Sequence, residues 1–372
     1  MKKILLLGGT GAMGVYLVPA LAKRGCEVSV TSRASRTSGE TKFILGDAQN
    51  TSFLKQTLND GSYDCVVDFM NYSTAHFKER ASFLLENSSK YVFLSSYRVF
   101  AGCDAPITES SPRLLDACDD AQYLKTDEYG LAKARQENIL RASPKKNWTI
   151  VRPAITFSLN RFQLCTLEAN MLLFRAFAGL PAALPSEMLA KKAAITWAGD
   201  VADMIASIAL EPASAGEDFN VCSSESKSWN DVAEVYKREI GLQITETSLD
   251  KYIWAVGGKY QVMYDRMFNR VMDNSKILKL MGTSQESLTP PLEGLSQELA
   301  KLGGKMPPSL KPNYAALARM DKLTSVKTPL NGISLRNRLE YFSGTHPVAA
   351  LPLRACKKAL NIAKSKGLGF MN

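Results

Sequence analysis

The chain has 372 residues, 45% apolar and 22% charged, a globular composition long enough for two or three domains or for one large α/β unit with a tail. Seven cysteines without a CxxC pair argue for free thiols in a reducing compartment rather than a disulfide framework or zinc site. Two histidines, His76 and His346, leave little for a His-ligated metal or Ser-His-Asp catalysis, and no metal is expected.

The net charge of +10 sits in the tail. Residues 301–372 hold thirteen Lys and Arg against Asp321 and Glu340, while the first 300 residues hold 33 basic and 34 acidic side chains. The opening MKKILLL has an apolar run of four before GGTGAMG, too short for a secretory core. The longest apolar stretch, around 169–185, contains Arg175 and two prolines, so no membrane span is expected and the protein is read as cytoplasmic.

Through residue 150, strand and helix patterns alternate. KILLLGG runs into a glycine turn, and Met13, Leu17 and Leu21 then follow helical spacing up to Gly25, a C-terminal cap. EVSVTS and KFILGD are the second and third strands, with a short helix at Ser52–Leu58. DCVVDFM, KYVFLSS and NWTIVRP complete six strands, separated by helices at Ala75–Glu86 and Asp127–Arg141. Such alternation with short connections means a Rossmann-type, doubly wound parallel sheet covered on both faces.

After Pro153 the pattern loosens. Helices are expected at Arg161–Ala178, in WAGDVADMIASIALEP and at Trp229–Glu239, a loop at GLPAALP and a strand at DFNVCSS. The expected organisation is a Rossmann-type domain (1–153), a smaller α/β portion (154–300) whose chain can return to the first sheet, and a basic Pro/Gly/Lys-rich extension (301–372). In that extension Leu353, Cys356, Leu360 and Ala363 share one helical face, and Arg354, Lys357, Lys358, Asn361 and Lys364 another. A basic amphipathic helix of this kind suits an anionic membrane surface, with Phe370 and Met371 added, or docking on the body or a second subunit. The basic run lacks the interleaved aromatics of a nucleic-acid surface.

Gly8, Gly11 and Gly14 form GxxGxxG between the first strand and first helix. These glycines allow a tight turn and a close approach of pyrophosphate to the helix N-terminus, where free amides and the dipole favour an anion. Tyr129 and Lys133 in YGLAK lie four residues apart on one helical face. A nearby ammonium favours the phenolate, which allows the tyrosine to act as general acid or base at a carbonyl or alcohol. Ser95 and Ser96 end the fifth strand, at the sheet edge where ligands sit in open parallel sheets.

The glycine turn, the SS…VF strand end, YGLAK and VRP resemble, in order and spacing, the extended short-chain dehydrogenase/reductase superfamily, and within it the NAD-dependent epimerase/dehydratase family that acts mostly on nucleotide-linked sugars. WAGDVA and FNVCSSESKSWNDVAEV extend the resemblance, more loosely, to about residue 300. It implies Tyr129 as catalytic acid/base, Lys133 as its electrostatic partner and ribose ligand, and Ser96 as the third member, because Phe100 stands where the family's aromatic follows that serine by four positions. It implies cofactor contacts from Gly8, Thr10, Gly11, Ala12, Met13, Gly14, Asp47, Ala48, Phe69, Asn71 and Pro153, and substrate contacts from Ser96 and Tyr97. A homodimer through the helices at 75–86 and 127–141 is implied by analogy alone. The family's 4,6-dehydratases carry an Asp-Glu pair after the catalytic Thr; here Tyr97 and Arg98 follow Ser96, which argues against dehydration.

In VTSRASRTS, Ser32 takes the place of the acid that selects NAD, and Arg33 follows it. Arg33, Arg36 and Thr10 suit a ribose 2′-phosphate, so NADP(H) is favoured with NAD as the alternative. An exchangeable reductant favours a keto-sugar reductase over an epimerase. A non-catalytic dinucleotide-sensing protein is a further alternative, against which the presence of both Tyr129 and Lys133 weighs.

Overall fold

The computed structural model describes residues 1–346 apart from positions 38, 40, 308 and 309, so the amphipathic segment expected at 353–364 lies outside the described residues. Seven strands form a single parallel sheet: β1 (Lys3–Leu7), β2 (Glu27–Ser32), β3 (Lys42–Leu45), β4 (Cys65–Asp68), β5 (Tyr91–Leu94), β6 (Trp148–Pro153) and β7 (Asp218–Val221). Their order is β7-β6-β5-β4-β1-β2-β3. Chain direction across the sheet reverses between β1 and β4, and a crevice forms at the strand ends there. Ile4 to Leu7 are fully buried, as expected for a strand covered on both faces.

One face is covered by α1 (Gly14–Lys23), whose Leu17 and Leu21 pack in a common core with Val201, Ile205 and Ile208 of a later helix, Ala198–Leu210. The other face is covered by α2 (Thr51–Gly61), α3 (Thr74–Glu86) and α4 (Tyr129–Ala142). Gly25 ends α1 at φ +75°, the left-handed position that glycine takes without strain. Residues 198–221 thus return to the first sheet, as the sequence allowed.

With Ala198–Leu210 of the first layer numbered α6, the rest of the chain builds a second core around Leu164, Leu172, Trp229 and Tyr236, under α5 (Ala169–Phe177) and α7 (Trp229–Ile240). Two expectations fail here. The helix expected at 161–178 begins only at Ala169; before it, Gln163–Leu164 and Leu167–Glu168 form a hairpin that turns at Cys165 with φ +53°. Within GLPAALP, Ala182–Leu184 is a strand paired in parallel with Ile244–Glu246.

Beyond residue 300 the chain is not simply an extension. Helix α8 (Pro291–Ala300) leads into α9 (Tyr314–Thr324), whose Leu317 and Met320 are fully buried in the second core, and then into α10 (Leu335–Thr345). Arg175 of α5 pairs with Asp321 of α9 at 2.7 Å, both side chains buried. No helix among the described residues is long and apolar enough to cross a membrane.

Candidate active site

The turn from β1 to α1 is built for close approach. Gly8 has φ +73°, and a Cβ on Gly14 would lie 2.1 Å from the carbonyl oxygen of Gly9, so only glycine fits there. A Cβ on Gly11 would meet nothing within 4 Å, which leaves the turn open on that side. Met13, the N-cap residue of α1, offers no side-chain cap, and its amides remain suited to an anion. The turn fits a dinucleotide pyrophosphate.

At the carboxyl ends of the neighbouring strands lies a cavity of about 440 Å³. It brings together Met13, Phe69, Asn71, Ser96, Tyr97, Tyr129, Lys133 and Pro153 from the sequence reading. Thr10 and Arg36 instead line a separate hollow beside α1. Arg33 and Arg36 are exposed, and the Ser32 hydroxyl donates to the Ala34 carbonyl at 2.7 Å within its own loop. Asp47 is exposed and accepts from the Gln49 amide at 3.0 Å; buried Ala48 follows it, and the Gln49 side chain reaches the Asn71 carbonyl at 2.9 Å.

The two adjacent serines have different surroundings. Ser95 donates to Glu137 at 2.6 Å, inside a network where Arg152 holds Glu137 through two bonds of 2.8 and 2.9 Å. Ser96 bears on the Tyr129 phenol, whose pKa it pulls down, and accepts from the Arg98 amide at 3.2 Å. Of the two serines, Ser96 is the one on the phenol's side. Tyr97 lines the cavity, but its hydroxyl donates to Asp265 at 3.1 Å and accepts from Arg266 at 2.8 Å, so it braces the wall rather than offering a free hydroxyl.

Lys133 is buried, and its ammonium donates to the Leu94 carbonyl at 2.7 Å with no carboxylate in ion-pair distance among the described residues. Burial lowers its pKa to about 8, against the opposing pull of Asp68 and Glu137. Burial raises the Tyr129 phenol above its ordinary value; the groups that pull it down are Arg98, the Ser96 hydrogen bond and Arg161. The nearer cation to the ring is Arg98, 5.1 Å from the centroid, against 5.9 Å for Lys133. Among side chains, the sequence pointed to Lys133 for that electrostatic role.

Arg98, Arg161, Gln163 and Arg266 also line the cavity and were not read as site residues. Arg98 has a visible signal, since it stands where the dehydratases carry an acid. Glu137 also has one, four residues beyond Lys133 on the same helix. Arg161 lies in what was expected to be a helix, and no local pattern marks Arg266.

The family model described as "NAD dependent epimerase/dehydratase family" matches residues 4–222. The chain is 28% identical over 173 residues to the chloroplast stem-loop binding protein of 41 kDa b of Arabidopsis thaliana, covering 42% of each chain. It is 27% identical over 158 residues to UDP-glucose 4-epimerase of Lactobacillus helveticus, covering 38% of this chain and 47% of that one. The match thus spans less than half the length of either relative. Among solved structures, UDP-glucuronic acid 4-epimerase of Bacillus cereus, in complex with UDP-glucuronic acid and NAD, superposes with a TM-score of 0.63 at 16% identity over 81% of this chain and 99% of that one. The dTDP-glucose 4,6-dehydratase of Bacillus anthracis, in complex with NAD, gives 0.62 at 15% identity over 82% and 97%. These likenesses establish the same fold, and with the family match over more than half its length the chain belongs to the NAD dependent epimerase/dehydratase family.

Proposed function

We propose that this chain is an NADP(H)-dependent reductase of a keto group on a nucleotide-linked sugar. The observation that carries the reading is the convergence of Ser96, Tyr129 and Lys133 on one cavity beside the glycine turn. The dinucleotide, when bound, supplies the hydride. Gly8 to Gly14 hold its pyrophosphate, Asp47 its adenine and Lys133 its ribose. Ser96 orients the substrate oxygen and Tyr129 delivers the proton to it. Dehydration would need carboxylates at the sugar, and the one acid lining the cavity among the described residues, Glu168, is held by Gln163 at 2.5 Å. Exposed Arg33 and Arg36, with Ser32 turned into its own loop, support recognition of a 2′-phosphate.

A second reading, an NAD-dependent epimerase that retains its cofactor, is supported by the Lactobacillus helveticus relative and by neighbours solved with NAD. Mass spectrometry of any copurified nucleotide, followed by titration with NADPH and NADH, separates the two. The reductase predicts NADPH binding at least about tenfold tighter, a difference of about 1.4 kcal/mol, lost in Arg33→Ala. Stoichiometric copurified NAD with no NADPH preference would make the epimerase the better reading. A non-catalytic protein would lose no measurable function in Tyr129→Phe.

A further inference from the structure

The turn after β5, Tyr97–Val99, carries Arg98 to the ring of Tyr129. Arg98 is fixed from both halves of the molecule. Its guanidinium pairs with Glu128, which caps α4 by accepting from the Gly130 amide at 2.8 Å. Its Nε lies 3.3 Å from Asp265, which comes from the second half and is shared with Arg266 and Arg270. Turn and helix touch directly, since a Cβ on Gly130 would lie 2.7 Å from the Arg98 carbonyl oxygen. Three guanidiniums thus share one buried carboxylate, and the cavity wall beside the phenol stays positive.

We infer that Arg98 is a positioning residue for the general acid: a permanent cation that favours the Tyr129 phenolate and is held there jointly by Glu128 and Asp265. The inference rests on Tyr129 being the acid/base of the proposed reaction. The charged and titratable groups that face the phenol are Arg98, Lys133, Arg161 and Glu128, with the Ser96 hydroxyl beside them. Glu128 is the acid among them, and it is already paired with Arg98. Lys133, buried and with its pKa lowered to about 8, gives up its charge as the solution becomes alkaline. An arginine does not, so Arg98, the larger influence, and Arg161 are the cations that persist while the phenol ionises.

The test places 3-fluorotyrosine at position 129 of the full chain and follows its ionisation by fluorine NMR, which needs no substrate. An opposite charge at this range moves a titration by about one unit or more. The midpoint should therefore rise by at least about one unit in Arg98→Met and return most of the way in Arg98→Lys. An unchanged midpoint in a stably folded Arg98→Met protein overturns the inference; if that variant does not fold, an unchanged midpoint in Arg98→Gln overturns it instead. Turnover by Tyr129→Phe is a separate readout: if it survives, the functional reading fails whatever the titration shows.

Discussion

Lys133 keeps an ammonium in a buried position with a single backbone carbonyl as partner, an arrangement that works against stability. Its folded value of about 8 lies below the ordinary 10.5, so below pH 8 both folded and unfolded chains carry the proton and the folded state bears the full penalty. Between those values the unfolded chain binds more protons, and stability rises with pH. Lys133→Met should therefore stabilise the protein by about 3 kcal/mol at neutral pH. The gain should shrink toward zero as the pH approaches 10.5, and cofactor affinity should fall. Denaturant melts at two pH values check this; a variant less stable at neutral pH would show that the Leu94 bond outweighs the desolvation. The same residue marks how far the site could be read beforehand. Tyr129 and Lys133 were legible because four residues of helix place them on one face, and Ser96 because a strand end did. Arg266 reaches the cavity, and Asp265 the residues behind its wall, only through the packing of a distant π-helical turn, Val262–Arg266, and no spacing in the chain encodes that.

Beside its apolar packing, helix α9 is tied to the body through a buried carboxylate. Asp321 pairs with Arg175 at 2.7 Å through one oxygen and accepts from the Thr328 amide at 2.6 Å and the Tyr341 hydroxyl at 2.7 Å through the other. Asp321→Ala would leave a fully buried guanidinium with only the Pro181 carbonyl and the Thr324 hydroxyl. The expected cost is about 3–5 kcal/mol, read as a lowered denaturation midpoint with unchanged slope; a loss under about 1 kcal/mol would mean that water reaches Arg175. Elements of this kind explain the uneven legibility of the fold. The first six strands are short apolar runs or, as in EVSVTS, regular alternations, which need no partner to be recognised. Ala182–Leu184, by contrast, is a strand only because Ile244–Glu246 pairs with it sixty residues later. The apolar residues of 163–168 fit a helical period as well as a hairpin, and the left-handed turn at Cys165 has no glycine to announce it.

Across the whole molecule, composition and packing divide the chain at different places. Pro, Gly and Lys accumulate after residue 300, yet the second core continues through Leu302, Tyr314, Leu317 and Met320. Each large apolar side chain so buried contributes about 1.5–3 kcal/mol, and together they approach the 5–15 kcal/mol of a whole domain. A chain ending at Ala300 would also strand the buried Arg175. Its second half should then fail to fold, because the faces that α9 covers open to water. The expected result is aggregation on expression, or a soluble protein that no longer melts cooperatively. If the residues after 300 were only a basic appendage, the shortened chain would keep the parent's melting temperature and its stabilisation by added dinucleotide. That stabilisation should be about 2.7 kcal/mol at a hundredfold excess over Kd, so one thermal melt with and without NADPH decides between the two.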